Sequence, residues 1–338
     1  MKKLFFVSIL AIGVLLTGCK GDPEDLVNKY DKYPYSQLTP EQQKEKLAGE
    51  SDAILNKMRD LNKQEGRNLF KVFQELLDEG EPDINLIVDF NKNQFKVNDF
   101  SGEYSWNATK RSWDFKAGKG GTIVFNFPST INGTQNDAKA VLTGDGSGNI
   151  ENFDGVKVEL PKKIKTVLSK SGKTVASIET SVKNPNLENY AKSSELKITY
   201  GDYKIEIKAD QDKNAVFYSK FKFSKGKDNI LEATLFASIE EVNLQGFEVK
   251  IGSNLAITGF VDIMKFVSSD SPEEANKYAK LTLVSTKDKC KIADVKITGD
   301  GYMLVFNDNT EIAANVFFGE GFDDAMNAWS DFLNSFFE

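Results

Sequence analysis

From residue 194 to 239 the chain alternates apolar and polar side chains with a period of two, the pattern of a strand that is buried on one face only. Leu196, Ile198 and Tyr200 alternate with polar neighbours, and so do Tyr203, Ile205, Ile207 and Ala209. Phe217, Phe221 and Phe223 continue the series, and Leu231, Ala233, Leu235 and Ala237 complete it. The intervening positions hold Lys197, Lys204, Glu206, Lys208, Lys220, Lys222, Glu232 and Thr234. Strands of this kind, laid side by side, make an antiparallel meander that is dry on one face and wet on the other.

Shorter runs rich in Val, Ile, Phe, Tyr and Thr, punctuated by Gly, Asn and Asp, predict further strands near 84–90, 102–106, 112–116, 121–127, 138–143, 155–160, 163–170 and 173–182. Others follow near 290–298, 302–306 and 311–318, with Asn307-Asp308-Asn309-Thr310 as a tight hairpin turn. Helix starts are written at Thr39-Pro40-Glu41-Gln42 and at Ser271-Pro272-Glu273-Glu274. Each has a hydroxyl cap, proline at the first helical position and a reciprocal Gln or Glu. Helices are expected near 39–63, 67–79, 272–281 and 321–337. The second presents Leu69, Val72, Phe73, Leu76 and Leu77 on one face and ends at Gly80. The last presents Phe322, Ala325, Met326, Trp329, Leu333 and Phe336. An apolar sheet face has to be buried against something, and helices are the available layer. The expected fold is therefore α+β and mainly β: one large curved antiparallel sheet, half-barrel-like, covered by N-terminal and C-terminal helices and occupying 39–338. A subdivision into two successive sheets near 190 is the alternative.

The N-terminus has a different character. Lys2 and Lys3 precede an apolar run from Leu4 to Leu16, and the run stops at Leu16-Thr17-Gly18-Cys19. Its 13 residues are too few for the ~20 that a helix needs to cross a bilayer core. Basic, apolar, then small residues before a cysteine resembles the signal peptide and lipobox of bacterial secreted lipoproteins. The resemblance implies a signal peptide over 1–18, cleavage before Cys19, and a diacylglycerol thioether with an N-acyl chain (palmitate-type) on that residue. One acyl chain holds marginally at ~0.8 kcal/mol per buried methylene, so several anchor firmly. Lys20 stands where enteric-type lipoproteins retained in the inner membrane carry aspartate, which implies outer-membrane anchoring. Asp22, Glu24 and Asp25 are similar to an acidic export signal, which leaves both the periplasmic and the cell-surface face open. Residues 19–38, with Pro23, Pro34 and scattered charge, are expected to be a flexible tether.

Composition narrows the chemistry. The formal charge of −7 becomes −9 once Lys2 and Lys3 leave with residues 1–18. An acidic chain without a basic run argues against nucleic acid and against adhesion to anionic headgroups. The two cysteines are Cys19 and Cys290, so an acylated Cys19 leaves no intrachain disulfide framework. Cys290, in Lys289-Cys290-Lys291, reads as a small core residue of a strand, with a reactive thiol as the alternative. Histidine is absent. That removes the usual neutral-pH base, the Ser-His and Cys-His nucleophile pairs and the commonest nitrogen ligand for zinc.

Few segments suggest a site. Asp210-Gln211-Asp212-Lys213-Asn214 begins like a calcium loop. The glycine and glutamate such a loop requires are replaced by Ala215 and Phe221, so a hairpin turn is the simpler reading, and no metal or cofactor is expected. Tyr104, Trp106 and Trp113 lie on the arms of one hairpin. Exposed, they would form a glycan platform; packed across strands, they would be ordinary sheet aromatics. The expected protein is not an enzyme but a lipid-anchored interaction or binding module of the cell envelope. Its partner is the outer membrane, through the anchor. A carrier or sensor of an apolar ligand such as lipid, its cavity lined by some of the 25 phenylalanines, is the alternative. A glycan-binding surface lipoprotein is a further one.

Overall fold

The structure is a computed structural model. It describes residues 29–61, 63–82, 94–95, 101–118, 121–145, 150–153, 156–159, 162–183, 193–211, 216–238, 244–299, 301–319 and 322–324. The chain divides into two compact units. One is Lys63–Glu206; the other combines Met1–Asn62 with Ile207–Glu338.

The Lys63–Glu206 unit contains helix α2 (Glu65–Gly80) and strands β1 (Gln94–Phe95), β2 (Gly102–Asn107), β3 (Ser112–Ala117), β4 (Thr122–Phe127) and β5 (Ala138–Asp145). It continues with β6 (Ile150–Phe153), β7 (Val156–Glu159), β8 (Lys163–Lys170), β9 (Lys173–Lys183) and β10 (Ser193–Tyr200). Strand β11 (Tyr203–Gln211) carries the unit boundary between Glu206 and Ile207. The other unit holds helix α1 (Pro40–Leu61) and strands β12 (Val216–Lys225), β13 (Asp228–Ser238), β14 (Leu244–Ile251) and β15 (Leu255–Asp262). Helices α3 (Ile263–Ser268) and α4 (Pro272–Ala275) lead to β16 (Ala279–Ser285), β17 (Cys290–Thr298), β18 (Gly301–Val305), β19 (Glu311–Ala313) and helix α5 (Ala314–Phe318).

The protein is mostly β. Sixteen strands form one open sheet in the order β19-β18-β17-β16-β15-β14-β13-β12-β11-β10-β9-β8-β5-β4-β2-β3, and β1-β7-β6 form a small second sheet. The unit boundary falls inside β11, a strand of the larger sheet. Most of the described pairings are antiparallel, whereas β2 runs parallel to β4 and β1 parallel to β7. The first exception follows from the β2–β3 hairpin. Strand β3 returns alongside one edge of β2, and β4 occupies the other edge.

In the Lys63–Glu206 unit, Tyr104, Phe125, Ala140, Leu168, Ala176 and Tyr200 stand opposite one another on six neighbouring strands and are all buried. Small residues in the middle of that row leave room for a helix. Helix α2 contacts β3, β8, β9 and β10 and buries Leu69, Phe73 and Leu76. Its ends press closely. A Cβ on Gly66 would lie 2.2 Å from the Val175 carbonyl oxygen, and one on Gly80 would lie 2.6 Å from the Trp106 ring. Position 80 therefore takes glycine because two indoles abut it, while the helix ends at the left-handed cap Glu81, φ 34°.

In the other unit, an apolar row (Phe221, Ala233, Val249, Ile257, Leu283, Ala293) and a polar row (Lys220, Thr234, Glu248, Thr258, Thr282, Asp294) occupy opposite faces of β12 to β17. Helix α1 starts with the expected reciprocal cap: the Gln42 amide donates to Thr39 Oγ1 at 3.4 Å and the Thr39 amide to Gln42 Oε1 at 3.0 Å. Lys46 pairs with Asp288 in the β16–β17 turn, whereas Lys57 and Asp60 pair with Asp228 and Lys225 at the β12–β13 turn. The eleven residue steps from Lys46 to Lys57 extend ~16 Å along a helix, about three strand spacings, so α1 crosses the strands rather than following them.

Several expected elements differ. The helix expected over 272–281 is α-helical to Ala275 and continues as a 3-10 turn over Asn276–Tyr278, where the Asn276 side chain bonds to strand β17. Its Nδ2 donates to the Ile297 carbonyl at 2.6 Å, its Oδ1 accepts from the Ile297 amide at 2.8 Å, and a sheet strand begins at Ala279. The strand expected over 311–318 ends at Ala313 and continues as α5, which buries Phe317. The candidate strand at 84–90 and the C-terminal helix beyond Asp324 lie outside the described residues, as do Leu16, Thr17, Gly18 and Cys19.

The largest correction concerns the tether. Residues 29–38 are docked onto the sheet and do not hang free. Tyr30 is 2% exposed, and Tyr35 makes a parallel bridge to Lys291.

Candidate functional site

The aromatic hairpin is packed, not displayed. Tyr104 and Trp106 are 3% and 6% exposed. Trp106 meets Trp113 edge-on at 5.3 Å, and the Trp113 Nε1–H donates to the Leu76 carbonyl in α2 at 3.1 Å. Phe73 sits against Phe125 and Phe127 at 5.2 and 4.9 Å, and Tyr104 stacks on Phe125 at 4.9 Å. These rings fix α2 on its strands. A glycan platform needs open ring faces, which the buried Tyr104 and Trp106 do not offer. Cys290 is half-buried. Burial and then Asp288 raise its thiol pKa, against the lowering effects of Lys46 and Ser36, which keeps it a thiol at neutral pH.

The most developed polar site lies where the N-terminal segment meets the polar face of β14 to β17. Residues 29–31 form one helical turn, and Tyr30 packs on Ala256, Val284 and Tyr33. Ala256 and Val284 face each other on β15 and β16, in the row that also holds Glu232, Lys250 and Lys291. The wet face thus becomes apolar where Tyr30 covers it. The Tyr30 hydroxyl donates to Glu248 Oε1, and Lys29 Nζ lies 2.9 Å from the same oxygen. Lys250 Nζ is 3.3 Å from Glu248 Oε2.

The electrostatics of this cluster follow from its partners. Burial alone drives the Glu248 pKa up, but the Tyr30 hydroxyl, Lys29 and Lys250 outweigh it, and the carboxyl stays below the ordinary glutamate range. Burial, then the bond to Glu248, raises the pKa of Tyr30, so it remains a donor.

A second clasp lies at β17. Tyr35 Oη donates to Asp294 Oδ2 at 2.9 Å, and Thr282 donates to Asp294 Oδ1 at 3.1 Å. Burial and the Asp294 bond push the Tyr35 pKa up to about 12. Main-chain bonds complete it: Lys291 N–H to the Pro34 carbonyl and Ser36 N–H to the Lys291 carbonyl, both 2.8 Å. The segment therefore leaves the polar face, passes beside β17 and enters α1.

This arrangement is suited to holding a chain in place. Glu248 already accepts from a tyrosine and two lysines, and Asp294 from two hydroxyls. Three tyrosines within Tyr30-Asp31-Lys32-Tyr33-Pro34-Tyr35 were the sequence signal for docking. A solvated tether has no use for that much aromatic surface.

Among the described residues no cluster of three or more Asp, Glu or Cys has metal-binding geometry, and no helix is long and apolar enough to cross a membrane. An open cleft of about 570 Å³ lies beside α1 and α5, lined by Lys44, Val316, Phe322, Asp323 and their neighbours. No family model, curated protein or solved structure matches the chain.

Proposed function

We propose that the protein is a lipid-anchored, non-catalytic lipoprotein of the bacterial outer membrane whose sheet serves as an interaction module. The observation that carries this reading is the docked segment at 29–36, which begins ten residue steps after Cys19. Extended chain of that length reaches at most ~35 Å. An anchor at Cys19 followed by a clasped segment would hold the module close to its membrane. The polar face, rich in lysine and glutamate, supplies a binding surface, and curvature of the sheet toward a half-barrel belongs to the same reading.

Two measurements on the expressed protein test it. Detergent phase partitioning is expected to place the chain in the detergent phase, with the Cys19→Ala chain in the aqueous phase. Mass spectrometry of the N-terminal peptide is expected to start at Cys19 with three acyl chains. A water-soluble chain with an unmodified Cys19 overturns the anchor.

A carrier of an apolar ligand is the second reading, favoured by the cleft that Val316 and Phe322 line beside α1. Native mass spectrometry is expected to show a stoichiometric lipid under that reading, and a clean apo mass defeats it.

A further inference from the structure

The net charge of the chain conceals how its charges are layered. Around the docked segment the carboxylates lie low and the ammonium groups stand above them. Glu248 and Glu232 side chains are 4% and 16% exposed, whereas their partners Lys29, Lys220 and Lys250 are 49%, 36% and 35% exposed. The longer lysine stems reach past the shorter glutamates, so solvent meets cations. Lys32 on the segment is exposed beside the exposed Asp31, and Lys222, opposite Glu232 on the neighbouring strand, adds a further cation to the same face. An acidic chain thus presents one locally basic sheet face, and the N-terminal segment starts on that face.

We infer that the lysine-tipped face around Lys29, Lys220 and Lys250 lies against the anionic headgroups of the bilayer that holds the anchor. Two observations select this occupant. The charge is complementary, because a lysine close to an anionic surface strengthens adhesion about fivefold. The chain also leaves toward Cys19 from Lys29 itself, with at most ~35 Å of backbone between them. The inference rests on the anchor reading, and it runs counter to the expectation from net charge that headgroup adhesion is disfavoured. Attraction of this kind is screened by salt.

Lysine footprinting on vesicles tests it. The full chain is mixed with phosphatidylcholine vesicles with or without phosphatidylglycerol, treated with an amine-acylating reagent, and read by peptide mass spectrometry. Lys29, Lys220 and Lys250 are expected to react several-fold more slowly on the anionic vesicles at low salt. Lys46 and Lys57, at the turn end of the unit, are expected to be unchanged. High salt is expected to abolish the difference. The Cys19→Ser chain is run in parallel, so a missing anchor and a wrong face give separate readouts. Protection of the three lysines in that chain supports the face even if Cys19 carries no lipid. Equal reactivity on both vesicle types, in both chains, overturns it. Combined Lys29→Gln, Lys220→Gln and Lys250→Gln changes are expected to weaken flotation of the Cys19→Ser chain with anionic vesicles by at least tenfold, and unchanged flotation counts against the face.

Discussion

In the Lys63–Glu206 unit one helix, α2, makes the principal contacts, through an apolar stripe and an aromatic cluster centred on Phe73. In the unit that begins again at Ile207, the work is divided. Helix α1 crosses the strands at one end, and the segment at 29–36 occupies the polar face. Apolar packing therefore dominates the first unit, whereas the second adds buried polar bonds that are specific in direction and sensitive to protonation. The two kinds of contact should respond differently to the same kind of perturbation.

The largest effect is expected from Phe73→Ala. Removing a buried aromatic ring costs about 3–5 kcal/mol, and here it leaves Phe125, Phe127 and Trp113 without their common neighbour. Denaturant unfolding followed by tryptophan fluorescence reads this in a Trp329→Phe background, where the two remaining tryptophans, Trp106 and Trp113, both belong to that unit. Hydrogen exchange at the Ser36 amide, whose acceptor is the Lys291 carbonyl, is expected to stay slow in the variant. If Ser36 loosens in step with the tryptophan signal, the contrast between the units is wrong.

Tyr30→Phe is expected to come next. It deletes a hydrogen bond to a buried carboxylate, worth about 1.5–3 kcal/mol, while keeping the ring on Ala256 and Val284. Exchange at Ser36 should accelerate, with the fluorescence of Trp106 and Trp113 unchanged. The reverse pattern would show that the segment is held by its ring alone.

These two sites also mark where the sequence was legible. From 194 to 239 the alternation of apolar and polar residues locates β10 to β13, because one face of those strands stays wet. Strands β14 and β16 also alternate, over Phe247-Glu248-Val249-Lys250-Ile251 and Ala279-Lys280-Leu281-Thr282-Leu283, but only briefly, and their burial does not follow the alternation. Phe247, Glu248 and Val249 are all buried in succession, and so are residues 281–285. A strand covered on both faces loses its period of two. In this unit part of the second cover is a segment more than two hundred residues away in sequence, whose prolines and charges suggested a tether. Gly80 and Trp113 show the same limit at shorter range. The contact between them joins a helix end to a hairpin and leaves no local trace in the sequence.

Acid titration should sharpen the comparison further. The Glu248 carboxyl is held below the ordinary glutamate range, so the folded state favours its ionised form. The stabilisation it provides is present in full above the unfolded pKa and is lost as pH falls through the folded one. Lowering pH through and below the ordinary glutamate range is thus expected to release the 29–36 segment progressively, seen as faster exchange at Ser36. Glu248→Gln should flatten that dependence. An unchanged pH profile in the variant would move the titrating group elsewhere.

The smallest effect is expected at the start of α1. Helix α1 has the reciprocal Thr39–Gln42 cap, whereas the N-cap residue of α2, Gln64, makes no side-chain capping bond. Losing a hydroxyl cap costs about 1 kcal/mol. Thr39→Ala should therefore lower the stability of the α1 unit by roughly that amount, and Thr39→Asp should restore it, since aspartate caps at least as well and its charge suits a helix N-terminus. The location of the loss matters more than its size. The chain runs directly from the Tyr35 clasp through Ser36 into this cap. A fraying first turn should therefore transmit slack to Ser36 and speed its exchange, while the aromatic cluster around Phe73 stays intact. Faster exchange at Ser36 in Thr39→Ala, reversed in Thr39→Asp, would establish that the segment is tensioned from both ends, by Glu248 on the polar face and by the first turn of α1.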